Sequence, residues 1–235
     1  MQQAKQSAAA VAVLDAERGF RPASPKAVRA PAVRPWYPIA VRAIDIVLAS
    51  LALVLAAPII LLAAIAIKLT SRGPAFFHQK RAGLHQRPFT MYKLRTMYQG
   101  ADDDKELFRK FNSLPTGPCF KMKNDPRVTT VGRWLRRSSI DELPQFLNVL
   151  LGNMSLVGPR PLPLDEVRTD TPEQKLRFTV KPGITCLWQV SGRTEIPYEE
   201  WLALDVWYIR NRSLSLDMQI LIKTVPAVLS GRGAY

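Results

Sequence analysis

From Ile46 to Ile67 the chain reads "IVLASLALVLAAPIILLAAIAI", 22 residues without a charged side chain. As one straight helix this run would be about 33 Å long, enough to cross the hydrocarbon core of a bilayer. Length alone favours a single spanning anchor. Two features oppose it. Pro58 lies near the middle, where it removes a helical hydrogen bond and clashes with the carbonyl four residues earlier, so a sharp bend is expected there. Arg29, Arg34 and Arg42 precede the run, and Lys68, Arg72, Lys80 and Arg81 follow it, so both flanks carry the positive charge typical of cytoplasmic segments. A helix that enters the membrane, breaks at Pro58 and returns satisfies both observations, and residues 36–70 are read as such a re-entrant helix.

Residues 1–35 are rich in Ala, Pro, Arg and Lys without an amphipathic period, which predicts a disordered basic tail. They do not fit a secretory signal, whose apolar core would directly follow a basic start and end in a cleavage site. Lys and Arg total 33 against 19 Asp and Glu, a formal net charge of +14. Such an excess calls for an anionic partner: nucleic acid, an acidic membrane surface or a phosphorylated substrate. Cys119 and Cys186 do not suggest a disulfide framework, and with His78 and His85 as the only histidines no zinc-site spacing exists. A reducing, cytosolic environment follows for residues 71–235, which are soluble in character and are read as one domain.

Within that domain "PAFFHQKRAGLHQRPFTMYKLRTM" predicts two short strands around a Gly-containing turn. The period of two puts Phe89, Met91, Lys93 and Arg95 on one face of the second strand, so two cations point the same way. A solvated sheet face would give the same pattern. Residues 101–113 predict a surface helix, and "KMKNDPRVTTVGRWLRRSSI", residues 121–140, mixes a turn, a short strand and a helical piece. Helices near the C-terminus carry Trp201, Trp207 and Tyr208, as core residues or, alternatively, on helices lying in the membrane interface. The expected class is therefore α+β: a proline-broken re-entrant helix, then a compact helix-rich domain with a small β-hairpin and interfacial amphipathic helices.

Residues 138–161, "SSIDELPQFLNVLLGNMSLVGPRP", set Asp141 and Glu142 side by side in a strongly cationic stretch. Ser139 with Glu142 fits a capping box, in which the pair would merely begin a helix. Pro144 argues for a later start, leaving the carboxylates on the turn before the helix. A carboxylate can attack phosphorus to form an acyl phosphate if a metal ion and arginines neutralise the phosphoryl oxygens. Arg136 and Arg137 lie just upstream, and Arg160 sits between Pro159 and Pro161, which restrict its backbone and favour a bidentate grip on phosphate.

The segments "RAGLHQRPFTMYKLRTM", "DPRVTTVGRWLRRSSIDELPQFLNVLLGNMSLVGPRP" and "KPGITCLWQVSGR" resemble, in order, the signatures of the bacterial sugar transferases, the small monotopic phosphoglycosyl transferases. The resemblance runs from about Arg42 to Tyr235. It implies transfer of a hexose 1-phosphate from a UDP-sugar to polyprenyl (undecaprenyl) phosphate with release of UMP, at the cytoplasmic face of a bacterial inner membrane, beginning polysaccharide or glycoconjugate assembly. Carried onto this chain, it makes Asp141 and Glu142 the catalytic dyad, with Asp141 the nucleophile that becomes a phosphosugar-aspartyl intermediate and a ligand of Mg²⁺. Arg136 and Arg160 become phosphate-binding residues, with Lys93 and Arg95 on the nucleotide. Membrane lipid is a further partner, a homodimer is compatible with the reading, and nucleic acid is not expected. Ala57 stands before Pro58 where members with a well-defined helix break often carry Ser, and Cys186 replaces the glycine of the usual PGITG turn. No run of further membrane helices is expected before residue 40. "LWQVSGR" and the terminal "GAY" tilt the sugar towards galactose or glucose. A membrane-tethered nucleic-acid-binding protein and a non-catalytic scaffold are the rival readings; the first lacks a recognition motif, and in the second the dyad only starts a helix.

Overall fold

The structure, a computed structural model, describes residues 34–112, 117–120, 122, 124–191 and 197–231. The tail expected over 1–35 therefore lies, but for its last two residues, outside the described residues.

The apolar run lies in one helix, α1 (Trp36–Thr70), and Pro58 sits inside it without ending the helical assignment. The run has no glycine and is built mainly of Leu, Ala and Ile, which tolerate the helix well. Asp45, Ala49, Ala56, Ala63 and Ile67 are buried, spaced by four, seven, seven and four residues, so one stripe of the helix meets protein. The rest is bare: Val54 is 71% exposed and Leu62 68%. A surface so long and apolar points to association with a membrane.

Both ends of α1 are fastened to the globular part. Near the start, Tyr37 Oη donates to Asp217 Oδ2 at 2.7 Å, and Arg42 donates to the carbonyls of Val149 at 2.6 Å and Leu150 at 2.8 Å. Asp45 accepts from Leu156 N at 2.9 Å and Ser155 Oγ at 3.1 Å. Near the end, Ala63 and Ile67 share a small core with Leu94 and Leu135.

Two short sheets frame the rest. Strands β1 (Phe76–Ala82) and β2 (Pro88–Leu94) pair antiparallel, with Phe77 opposite Lys93 and Arg81 opposite Phe89, and Gly83 begins the turn. Helix α2 (Thr130–Arg137) is capped by Thr129 Oγ1, which accepts from Gly132 N at 2.9 Å. A 3₁₀ turn over Ile140–Glu142 leads into α3 (Gln145–Leu150). Strand β3 (Ser155–Val157) pairs parallel with β4 (Gly183–Thr185), with α4 (Pro172–Leu176) between them in sequence. Two longer helices, α5 (Tyr198–Asn211) and α6 (Leu214–Ser230), follow. The main core gathers Met91, Val149, Met154, Trp188, Trp201 and Ile209. The molecule is thus α+β, with a long apolar N-terminal helix and a helix-rich part carrying a small antiparallel hairpin.

One expectation needs correction, and one of two alternatives falls away. Residues 101–113 do not form an α-helix; 3₁₀ turns at Asp103–Lys105 and Arg109–Phe111 occupy the described part of that span. Contacts from outside hold them: Arg127 takes the Ala101 carbonyl at 3.1 Å, and Lys105 reaches Asp165 at 2.5 Å and Glu166 at 2.8 Å. The Ser139 capping box is absent as well. Ser139 has φ 58° and ψ 16°, a left-handed conformation that turns the chain between α2 and the carboxylates, and its side chain caps nothing. The later helix start, after Pro144, is the one observed. Trp201 and Tyr208 are core residues.

Candidate active site

Asp141 and Glu142 open onto a cleft of about 490 Å³ between the hairpin, the loop that follows β2, the end of α2 and the turns beyond β3 and β4 that carry Arg160 and Gln189. The volume is within the usual range for a small-molecule site. Although adjacent in sequence, the two carboxylates have opposite surroundings. Glu142 is held on both oxygens: Lys93 Nζ lies 2.8 Å from Oε1, Arg160 Nη1 donates to Oε2 at 3.2 Å, and Arg160 Nη2 also donates to Oε1. Asp141 is 6% exposed and makes no hydrogen bond or salt bridge among the described residues.

The electrostatics separate them further. Burial, reinforced by the negative charge of Glu142, raises Asp141 above the ordinary carboxylate range against the pull of Lys93, Arg136 and Arg160. Burial would raise Glu142 too, but Arg160 and then Lys93 outweigh it and hold Glu142 well below that range. One carboxylate is kept ionised and committed; the other is more basic and unengaged.

The cations divide in the same way. Arg160 follows β3 by three residues, and its carbonyl accepts from Arg177 Nη2 at 3.2 Å. The turn that bears it is built on a contact only glycine permits: a Cβ on Gly183 would lie 2.1 Å from Gly158 N. Arg136, in the last turn of α2, donates Nε to Thr96 Oγ1 at 2.9 Å and lines the cleft. Lys93 is delivered by β2 to Glu142, as the period of two implied. Arg95 lies just past the end of that strand, and its guanidinium donates to Ser71 O at 3.0 Å, Ser71 Oγ at 2.9 Å and Arg72 O. It lines the cleft, yet its hydrogen bonds fasten the end of α1.

Other cleft residues gave no local sequence signal. Arg81 comes from β1 and donates Nη1 to Pro161 O at 2.9 Å; its buried Nε has no hydrogen-bond partner among the described residues. Burial, with Arg160 nearby, lowers its pKa to about 10. Arg127 is spoken for: it pairs with Asp125 through Nε at 3.0 Å and Nη2 at 2.7 Å, and lies over the rings of Phe120 and Phe108.

The sequence profile described as "Bacterial sugar transferase" matches residues 36–231. This chain belongs to the bacterial sugar transferase family. The exopolysaccharide production protein ExoY of Rhizobium meliloti is 40% identical over 207 residues, which are 87% of this chain and 92% of that protein. The UDP-glucose:undecaprenyl-phosphate glucose-1-phosphate transferase of Caulobacter vibrioides is 43% identical over 83% of this chain and 71% of its own length. The undecaprenyl-phosphate galactose phosphotransferase of Salmonella typhimurium is 41% identical over 83% of this chain and 41% of its own.

Cys186, at the position of the expected glycine, has an ordinary backbone conformation. Among the described non-glycine residues, positive φ occurs at His85, Gln86, Asn124 and Ser139, so the backbone at Cys186 does not call for a glycine. No group of three or more His, Cys, Asp or Glu side chains fit to hold a metal occurs among the described residues. Of the carboxylates lining the cleft, Glu142, Asp125 and Glu166 are held by cations, and Asp141, Asp102 and Asp103 remain. Mg²⁺ is commonly held by one or two carboxylates plus substrate phosphates and water, so the site fits a metal shared with a bound diphosphate.

Proposed function

We propose that this chain transfers a hexose 1-phosphate from a UDP-sugar to polyprenyl phosphate through a phosphosugar bound to Asp141. The observation that carries the reading is the split pair: a buried, unengaged carboxylate next to one pinned by Lys93 and Arg160. An Asp141 oxygen attacks the β-phosphorus of the donor, forming an acyl phosphate, and the bond to the bridging oxygen breaks with its electron pair leaving on UMP. An oxygen of polyprenyl phosphate then attacks the same phosphorus, and the Asp141 carboxylate departs.

Glu142 is a weak base in this setting, and its part is to orient Arg160 and Lys93 rather than to remove a proton. Arg160 and Arg136 face the phosphoryl oxygens, with Arg81 beside them. Mg²⁺ on Asp141 and the diphosphate would reduce the negative charge that opposes attack. The names of the relatives above support donor and acceptor alike.

The chain sits on the cytoplasmic face of the inner membrane, where UDP-sugars are present. The tethers at Tyr37 and Arg42 and the packing at Ala63 and Ile67 bring both ends of α1 to one body, as a re-entrant course requires. Residues 71–235 form the catalytic domain. Helix α6 exposes Ile222, Val225 and Leu229 along one stripe, which suits the membrane interface. UMP release measured across a panel of UDP-sugars with polyprenyl phosphate tests the reading. Release with UDP-glucose or UDP-galactose is expected, and no release with any donor would overturn it.

A further inference from the structure

We propose that Gln189 reads an oxygen of the hexose carried by the donor, and that Cys186 holds its side-chain amide in the orientation that does so. This rests on the phosphoglycosyl transfer proposed above and adds the group that recognises the sugar. Cys186 directly follows β4, is 2% exposed, and donates its thiol to Gln189 Oε1 at 3.0 Å. Burial, with Asp205 behind it, pushes the thiol pKa well above its ordinary value, so the proton that makes this bond stays in place. With Oε1 taken, Gln189 has its two amide N–H groups left to offer. Nε2 makes no hydrogen bond among the described residues, and Gln189 lines the same cleft as Asp141 and Arg160.

The backbone fixes where this donor stands. Gln189 N donates to Cys186 O at 3.1 Å and Ser191 N to Trp188 O at 3.1 Å, a tight turn. That turn is tied to the Arg160 turn, since Gly183 N donates to Pro159 O at 3.0 Å and Gly158 N to Thr185 O at 3.0 Å. Gln189 and Arg160 therefore stand on turns joined by backbone hydrogen bonds. In the proposed reaction Arg160 faces the transferred phosphoryl group, whose remaining substituent is the hexose. A hexose offers hydroxyl oxygens to an amide donor, and Trp188, buried and stacked on Trp201 at 4.1 Å, backs the turn that carries Gln189. A glycine at 186 would leave the amide free to turn.

Calorimetric titration of the full chain in detergent with UDP, UDP-glucose and UDP-galactose tests this. Gln189→Ala and Cys186→Ala are expected to weaken the better-bound UDP-hexose by about threefold to tenfold, the worth of one hydrogen bond, with UDP affinity unchanged. Cys186→Ser keeps a donor and should bind like the wild type. Unchanged UDP-hexose affinity in Gln189→Ala overturns the proposal. So does an equal loss for UDP, which would place Gln189 on the nucleotide or its phosphates. Gln189 is partly exposed, so its variants keep the test open even where Cys186→Ala fails to fold. The titrations are run without Mg²⁺ and repeated on the Asp141→Asn background, where no phosphosugar can form, so binding is read without chemistry and a failure of the transfer reading would show separately, in the absence of UMP release by the unaltered chain.

Discussion

Asp141 and Glu142 were legible as a pair because they are contiguous, but their division of labour was not, since it depends on side chains brought from elsewhere. Lys93 arrives through strand alternation and Arg160 through a turn bounded by prolines, and both signals stand in the sequence. Arg95 lines the cleft just past Leu94, where β2 ends, and its hydrogen bonds to Ser71 and Arg72 could not be read from alternation; Arg81 reaches the cleft only through strand register. Arg160→Lys is expected to lower kcat/KM at least about tenfold: an ammonium keeps the charge but cannot hold both Glu142 oxygens and a phosphate with one planar fork. Steady-state kinetics of the lysine variant check this, and near-wild-type values would reduce Arg160 to a distant charge. Ser139 provides a second check. Its left-handed backbone, two residues before Asp141, predicts that Ser139→Val costs about 1–2 kcal/mol of stability while Ser139→Gly costs little. Thermal unfolding of the two variants should separate them, and equal stability would mean that the turn carries no such constraint.

At the scale of elements, the hairpin was readable because a turn with glycine divides two runs of suitable length, and the apolar helix because nothing else fits such composition. The supposed helix over 101–113 failed where long-range contacts to Arg127 and Asp165 govern the backbone. The supposed capping box failed because the chain must reverse after α2. Helix α2 shows how packing constrains an element: a Cβ on Gly132 would lie 1.9 Å from Thr96 O, so α2 rests directly on the backbone that carries Thr96, the partner of Arg136. For α1 the expected outcome is topological. Single cysteines near positions 35 and 75 should both be labelled from the cytoplasmic side, because the tethers at Tyr37, Arg42 and Asp45 hold the start of the helix on the same body as its end. Labelling near position 35 only from the periplasmic side would establish a spanning helix instead.

For the molecule as a whole, the excess of 33 basic over 19 acidic residues suits a nucleotide donor, a phosphorylated lipid acceptor and an anionic bilayer surface together. That charge alone also suited a tethered nucleic-acid-binding protein, and only the family and the cleft separate the two. A non-catalytic scaffold would leave a buried carboxylate unengaged in a cationic cleft at a cost in stability and with no return. The account therefore turns on covalent chemistry at Asp141, which needs the donor but not the acceptor. The direct measurement is to mix the protein with Mg²⁺ and a UDP-sugar labelled in the sugar, omit polyprenyl phosphate, and follow UMP and protein-bound label, using Asp141→Asn as the control. The predicted result is about one equivalent of UMP with the label on a peptide containing Asp141, and neither in the asparagine variant. A strict requirement for polyprenyl phosphate before any UMP forms, or label retained by the Asp141→Asn protein, would contradict it.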